Sequence, residues 1–203
     1  MTAKRTLDVL AAAALLLILL PVLILVAAAV FVSSPGPILF RQQRVGFAGR
    51  LFWFYKFRTM YDGNDPSAHL AYYRQLVVGE AQPTGRSFKL ANDPRVTPVG
   101  RTLRRYSLDE FPQLFNVLKG DMSLVGPRPP IPYEADLYGT RELERLRVRP
   151  GLTGLWQISG RSELTFQEMI DLDLAYIAQW SLVNDLSIIA RTPWVIISGR
   201  GAC

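Results

Sequence analysis

The hydrophobic pattern divides the chain into two unequal parts. From Val9 to Val32 no charged residue occurs, and as a helix this run would be about 36 Å long, slightly more than the roughly 30 Å hydrocarbon core of a bilayer. It therefore reads as a membrane-embedded segment. It is also longer than the apolar region of a secretory signal peptide, although Ala27, Ala28 and Ala29 imitate a small-residue cleavage site. Lys4 and Arg5 precede the run and Arg41, Arg44 and Arg50 follow it, so both flanks favour the cytoplasmic side. Pro21, near the middle, lacks an N–H and obstructs the preceding turn. Charge and proline leave two arrangements open: a re-entrant helix that bends at Pro21 and leaves on the face it entered, or a spanning helix with a kink. Asp8 is placed to pair with a cation or to cap the helix start. The breaker cluster Ser33-Ser34-Pro35-Gly36-Pro37 ends the helix. It sets a membrane segment at 1–37 and a folded domain at 38–203.

Beyond that boundary the periodicity shortens. Leu51 to Met60 is aromatic-rich and strand-length, with Lys56 and Arg58 on one face by period-two alternation. Asp62 to Ala91 is polar and turn-rich around a short helical pattern at Ala68 to Val77, and reads as an insertion or loop. Ser107-Leu108-Asp109-Glu110 has capping-box spacing, followed by Phe111, Leu114, Phe115 and Leu118 at helical intervals. Pro112 suits the first turn of that helix and Gly120 its stop. A second capping box at Thr165 to Glu168 predicts a helix to about Ala178, and Leu182 to Ser198 suits an interfacial helix pair. The fold class expected is α+β, mostly helical, with a small catalytic domain on the membrane segment and interfacial amphipathic helices.

Composition narrows the partners. The 203 residues carry a formal charge of +6 and are 49% hydrophobic, which excludes a disordered chain and calls for an anionic partner such as nucleic acid, anionic lipid or a phosphorylated substrate. The single cysteine, Cys203, excludes a disulfide framework, and His69 is isolated. No P-loop, dinucleotide fingerprint or HExxH occurs. The basic residues sit in Pro/Gly turns beside carboxylates, not in an uninterrupted stripe, so no nucleic-acid partner is expected.

Chemistry concentrates around Asp109 and Glu110. Arg101, Arg104 and Arg105 precede these carboxylates, and Arg128 follows within Gly126-Pro127-Arg128-Pro129-Pro130. Guanidinium forks suit phosphate oxygens. A carboxylate at a helix N-terminus stays ionised, available to hold Mg²⁺ or to attack phosphorus. Mg²⁺ is commonly held by one or two carboxylates, with phosphates and water completing its shell. Beside a lipid-embedded segment, one substrate would be a lipid phosphate. On spacing alone, helix-capping carboxylates neutralised by surface arginines fit as well, which would make the chain a membrane-tethered scaffold. A phosphatase for lipid pyrophosphates is a third reading.

With those residues in view, the chain resembles the bacterial sugar transferase family, the monotopic phosphoglycosyl transferases. The likeness runs from Lys4-Arg5-x-x-Asp8 through Lys56-Phe57-Arg58-Thr59-Met60 and Asp93-Pro94-Arg95-Val96-Thr97 to Arg104-x-x-Ser107-Leu108-Asp109-Glu110-x-Pro112-Gln113-Leu114. It continues through Asn116-Val117-Leu118-x-Gly120-Asp121, Gly126-Pro127-Arg128-Pro129, Arg149-Pro150-Gly151-Leu152-Thr153-Gly154 and Ser159-Gly160-Arg161. Because it begins almost at Lys4, it suggests a stand-alone or trimmed catalytic module.

The resemblance implies transfer of a sugar 1-phosphate, glucose or galactose, from a UDP-sugar to undecaprenyl phosphate with release of UMP. Asp109 would be the nucleophile of a covalent phosphosugar intermediate. Glu110 would assist a Mg²⁺ cofactor, which both carboxylates would hold, or activate the lipid phosphate. Arg104, Arg128, Arg149 and Arg161, with Lys56 and Arg58, would contact substrate. The resemblance also favours the re-entrant helix, although Leu20 replaces the serine often found before the family's proline, Pro21 here. It further implies the cytoplasmic face of the bacterial inner membrane, phospholipid contact, a homodimer as a candidate assembly, and a role initiating exopolysaccharide or lipopolysaccharide O-antigen synthesis.

Overall fold

The computed structural model describes residues 2–63, 70, 71, 73 and 93–198. His69, the helical pattern at Ala68 to Val77 for all but three positions, and Cys203 lie outside the described residues. The apolar run forms one helix, α1 (Thr2–Ser33), which continues through Pro21 and is long and apolar enough to cross a membrane. A hairpin follows, in which β1 (Leu39–Val45) pairs antiparallel with β2 (Leu51–Phe57), Gln42 opposite Phe54 and Arg44 opposite Phe52. Next come α2 (Pro98–Arg105), a 3-10 turn at Leu108–Gln113 and α3 (Leu114–Lys119). A parallel pair, β3 (Ser123–Val125) with β4 (Gly151–Thr153), sits beyond them. Helices α4 (Phe166–Ala178) and α5 (Leu182–Ser198) close the described chain.

Long-range packing joins these pieces. Phe52 and Phe54 of β2, Leu114 and Val117 of α3, and Leu124 of β3 form the main core with Ala12 of α1. Asn116, fully buried, ties α3 to the hairpin: its Nδ2 donates to the Trp53 carbonyl at 2.6 Å, and its Oδ1 accepts from the Tyr55 amide at 3.2 Å. A second cluster packs Trp156 against Phe166, Met169 and Ile170 of α4.

Both ends of α1 dock on this one domain. At the first end Lys4 Nζ donates to Asp185 of α5 at 2.6 Å, and Arg5 donates to the Leu118 carbonyl at 2.9 Å. Arg5 thereby satisfies the last turn of α3, whose carbonyls lack intrahelical partners, beside Gly120 at φ 93°. At the other end Val26 and Val30 pack against Phe57 and Leu103, and Arg58 donates to the carbonyls of Ser34, at 2.6 Å, and Pro35. Between the ends one side of the helix faces outward, with Leu17 74% and Ile18 72% exposed, while Ala12 is buried in the core.

The structure corrects several local expectations. Asp8 neither pairs with a cation nor caps the helix; α1 begins earlier, at Thr2, and the buried carboxylate accepts from the Leu124 amide at 3.0 Å. Ser107 is no side-chain cap, because its backbone is left-handed (φ 52°) and its hydroxyl is not directed at the turn. The helix expected after it starts as a 3-10 turn and becomes α-helical only at Leu114. Strand β2 stops at Phe57, three residues short of Met60, which instead forms an isolated bridge with Val96. Leu182 to Ser198 is one helix containing Pro193, not a pair. The Thr165 capping box holds, with its hydroxyl accepting from the Glu168 amide at 3.2 Å.

Candidate active site

The site is assembled where α2 meets the end of the hairpin. Thr97 caps α2, its hydroxyl accepting from the Gly100 amide at 2.9 Å, and Pro98 opens the first turn. That turn lies directly on the Thr59 backbone: the Thr97 amide donates to the Thr59 carbonyl at 3.0 Å, and a Cβ at Gly100 would stand 2.1 Å from that oxygen. The close approach brings Arg104, two turns along, within reach of the Thr59 side chain, and its Nε donates to Thr59 Oγ1 at 2.9 Å.

Asp109 lies in the first turn of the 3-10 segment, 6% exposed, with Glu110 half-buried beside it. Burial draws down the proton affinity of the Arg104 guanidinium, while the carboxylates of Asp109 and then Asp93 act in the opposite sense. Asp93 is itself occupied by Arg95 at 2.7 Å. The hydrogen bonds from Arg95 hold its carboxyl below the usual range, against burial. Arg104 lies near enough to Asp109 for its charge to act on the guanidinium. Arg161 joins from the far side of the sequence, its Nη2 donating to Ser107 Oγ at 2.6 Å, two residues ahead of Asp109.

Arg128 sits on a separately braced loop. Gly126 has no room for a Cβ, which would lie 2.5 Å from the Arg149 carbonyl, and its amide donates to the Thr153 carbonyl at 2.9 Å. Arg44 Nη1 donates to the Pro129 carbonyl at 3.0 Å, and Arg145 Nη2 to the Arg128 carbonyl at 3.2 Å. Arg145 is bound in turn to Asp173 of α4 at 2.7 Å, both side chains almost fully buried. Asp173 is thereby structural. Burial and then repulsion from Arg128 bring the Arg44 guanidinium down to about 10, with Glu134 opposing. Two like charges kept this close make the loop receptive to an anion.

The remaining sequence candidates have partners of their own. Arg149 is exposed and donates to the Gly120 carbonyl at 2.9 Å. Lys56 lies over the Phe40 ring at 5.1 Å. Arg58 is buried and spends two donors on the carbonyls at the end of the apolar helix, at the seam between the two parts of the chain. Asp121 accepts from Asn116 Nδ2 at 3.3 Å in the turn after α3. Sequence reasoning passed over Thr59, Arg44, Arg145 and the Asp93–Arg95 pair as site residues. Partners of Thr59, Arg44 and Arg145 lie up to 85 positions away, so no local period marks them, whereas Asp93 and Arg95 are two positions apart and stood in the sequence only as part of a longer likeness.

Among the described residues no group of three or more His, Cys, Asp or Glu side chains is placed to hold a metal ion. Two adjacent carboxylates nevertheless match the needs of Mg²⁺ when substrate phosphates and water complete the shell.

The chain is similar to known proteins along its length. The family model for bacterial sugar transferases matches residues 1–199. The "Galactosyl transferase CpsE" of Streptococcus agalactiae serotype III is 48% identical over 169 residues, 82% of this chain and 36% of that protein. The "Exopolysaccharide production protein ExoY" of Rhizobium meliloti is 42% identical over 200 residues, 98% of this chain and 88% of that protein. A "UDP-glucose:undecaprenyl-phosphate glucose-1-phosphate transferase" of Caulobacter vibrioides is 46% identical over 200 residues, 93% of this chain and 67% of that protein. The chain therefore spans only about a third of CpsE but most of ExoY. On the match over 1–199 and the ExoY likeness, the chain belongs to the bacterial sugar transferase family.

Proposed function

We propose that the protein transfers a sugar 1-phosphate from a UDP-sugar to undecaprenyl phosphate, at the cytoplasmic face of the bacterial inner membrane. The observation that carries the reading is the buried Asp109 carboxylate in its 3-10 turn, with Arg104 near enough for the two charges to act on each other and Arg161 held at Ser107 two residues ahead. An Asp109 oxygen attacks the β-phosphorus of the donor. The P–O bond to the bridging oxygen breaks, and UMP leaves with that oxygen and its electron pair. The phosphosugar is then an acyl phosphate on Asp109. In the second half, an oxygen of undecaprenyl phosphate attacks the same phosphorus and returns the Asp109 carboxylate. Glu110 takes the proton of the lipid phosphate if it arrives as the monoanion.

Arg104 and Arg128 offset charge on the phosphoryl oxygens, which is the main demand of phosphoryl transfer on a protein. Asp109 and Glu110 would hold Mg²⁺, which when bound supplies further charge neutralisation at the phosphates. The relatives' names differ in sugar, galactosyl for one and glucose for another, so either hexose is a candidate donor. A role at the start of exopolysaccharide or O-antigen assembly follows the same reading.

The membrane arrangement we infer is re-entrant. Both ends of α1 bind one domain, through Lys4 and Arg5 at one end and Val30 and Ser34 at the other. Many apolar side chains between them, Leu17, Ile18, Ile24 and Leu25 among them, face outward, where lipid is the medium that suits them. On α5, Val183, Trp194 and Ile197 are each more than 70% exposed, consistent with a helix lying at the lipid interface.

The test is nucleotide release by detergent-purified protein given Mg²⁺, undecaprenyl phosphate and a panel of UDP-sugars. UMP from one or two donors, lost in Asp109→Asn with an unchanged melting temperature, is the expected result. Release of UDP instead would mean glycosyl transfer and sink the mechanism. Full activity in Asp109→Asn would remove Asp109 as nucleophile.

A further inference from the structure

Two strained residues meet at the start of the Asp109 turn. Among the described residues, the non-glycine positions with positive φ are Ala48, Ser107 and Arg161, at 55°, 52° and 51°. Ala48 belongs to the tip of the hairpin. Ser107 and Arg161 are 54 positions apart and are hydrogen-bonded to each other at 2.6 Å. A left-handed backbone at a residue with a Cβ persists only where its surroundings hold it, and such residues gather at functional sites. Here each is clamped. The Ser107 amide donates to the Arg104 carbonyl and its own carbonyl accepts from the Glu110 amide, both at 3.2 Å. The Arg161 carbonyl accepts from the Leu164 amide at 3.3 Å. Ser107 therefore links Arg104 to the carboxylate pair through its backbone.

The second feature is on the arginine. While Nη2 of Arg161 is bound to Ser107, its Nη1 is buried and makes no hydrogen bond among the described residues. A guanidinium stays charged and presents its donors in a rigid plane, and a buried donor left unpaired is costly. The natural acceptor for such a nitrogen, beside a carboxylate that attacks phosphorus, is a phosphate oxygen.

We propose that Arg161 and Ser107 form a positioning couple. Nη1 takes an oxygen of the donor's pyrophosphate, and Nη2, through Ser107, sets the backbone from which Asp109 projects. The inference rests on Asp109 being the nucleophile. Because the guanidinium is planar, an oxygen seated on Nη1 fixes the direction of Nη2, so donor binding and nucleophile placement become one event. The couple makes and breaks no covalent bond.

The test separates its two halves. Ser107→Ala deletes the acceptor and keeps the Cβ, whereas Ser107→Gly also removes the steric cost of the left-handed backbone. In steady-state UMP release, Ser107→Ala should lower kcat about tenfold or more with little change in KM for the UDP-sugar, as a small misplacement of a reacting group does. Arg161→Gln should lower kcat and raise KM, and adding Ser107→Ala to it should cost nothing further. The anion half is read without turnover, by titrating inorganic pyrophosphate into Asp109→Asn protein. Adding Arg161→Gln should weaken binding about tenfold or more, the loss of one charge-assisted hydrogen bond. Arg161→Lys should restore much of that binding but not kcat.

A Ser107→Ala enzyme with normal kcat, additive losses in the double variant, or unchanged pyrophosphate affinity in Arg161→Gln would each overturn the couple. Melting temperatures identify a variant that fails to fold, and Ser107→Gly then stands in for Ser107→Ala. Activity that depends on Asp109 but not on Ser107 defeats only this inference. Activity that survives Asp109→Asn defeats the reading beneath it.

Discussion

Replacing Arg145 with leucine should unfold the protein at a markedly lower temperature at neutral pH, and the deficit should shrink in acid. Arg145 donates to Asp173 Oδ2 at 2.8 Å, to Tyr138 Oη at 2.7 Å and to the Arg128 carbonyl at 3.2 Å. Its side chain is 2% exposed and that of Asp173 1%. Removing one partner of a buried ion pair costs about 3–5 kcal/mol, because the other charge is left without compensation. Two further orphaned groups, the Tyr138 hydroxyl and the Arg128 carbonyl, put the value near the upper end, about 5 kcal/mol. For a protein of this size, at roughly 2–4 °C per kcal/mol, the melting temperature falls by about 10–20 °C.

The pH dependence follows from Asp173. Burial pushes its carboxyl up to about 6, against the pull of Arg145, so the pair is still ionic at neutral pH. The folded state holds this proton more tightly than the unfolded chain does. The stability linked to protonation is therefore complete below about pH 4, the ordinary carboxylate range, and is lost as pH rises through about 6. Without Arg145 the carboxyl rises further, so the variant can relieve its unpaired charge by protonation at a pH where the parent need not. Thermal unfolding by circular dichroism at pH 7.5 and pH 5, on parent and Arg145→Leu, reads both effects. A shift of only a degree or two at pH 7.5, or an equal shift at both pH values, would refute the reasoning.

Other outcomes follow from the same contacts. Gly100→Ala drives a Cβ toward the Thr59 carbonyl, 2.1 Å away in the unaltered backbone. It should shift α2 and Arg104, at about 1–3 kcal/mol of overpacking, with UMP release falling more than stability does; activity at the parental level would refute it. Single cysteines introduced as Ala3→Cys and Pro37→Cys, with Cys203 replaced, should both react with an impermeant thiol reagent from the cytoplasmic side of inverted vesicles. Reaction of the two from opposite sides would establish a spanning helix. Chelating divalent cations should abolish UMP release and Mg²⁺ should restore it, while the melting temperature without substrate stays nearly constant, because substrate phosphates supply part of the metal's shell. A large drop in melting temperature on chelation alone would point to a structural metal.

What could be read along the chain was whatever depends on near neighbours. The uncharged run from Val9 to Val32 becomes α1, the Thr165 box caps α4, and Gly120 ends α3 because their determinants lie within a turn or two. The carboxylates at 109 and 110 and the arginine at 104 were likewise visible, being close in sequence. The capping box at Ser107 was misleading for a tertiary reason. Its hydroxyl is taken by Arg161, and a left-handed backbone there turns the following residues into a 3-10 segment. Asp8 departed from expectation in the same way, drawn to the Leu124 amide 116 positions away.

An apolar helix ahead of a basic folded domain, with carboxylates and arginines clustered around residue 109, was legible along the chain because hydropathy, breakers and local spacing are properties of adjacent residues. Tertiary packing was needed to rest both ends of that helix on one domain, to set Arg104 on Thr59 near Asp109, and to brace the Arg128 loop with Arg145 and Arg44. The hydrogen bonds among these contacts join residues 17 to more than 100 positions apart. Their energy comes from burying and satisfying polar groups, and that becomes possible only once the core has brought them together.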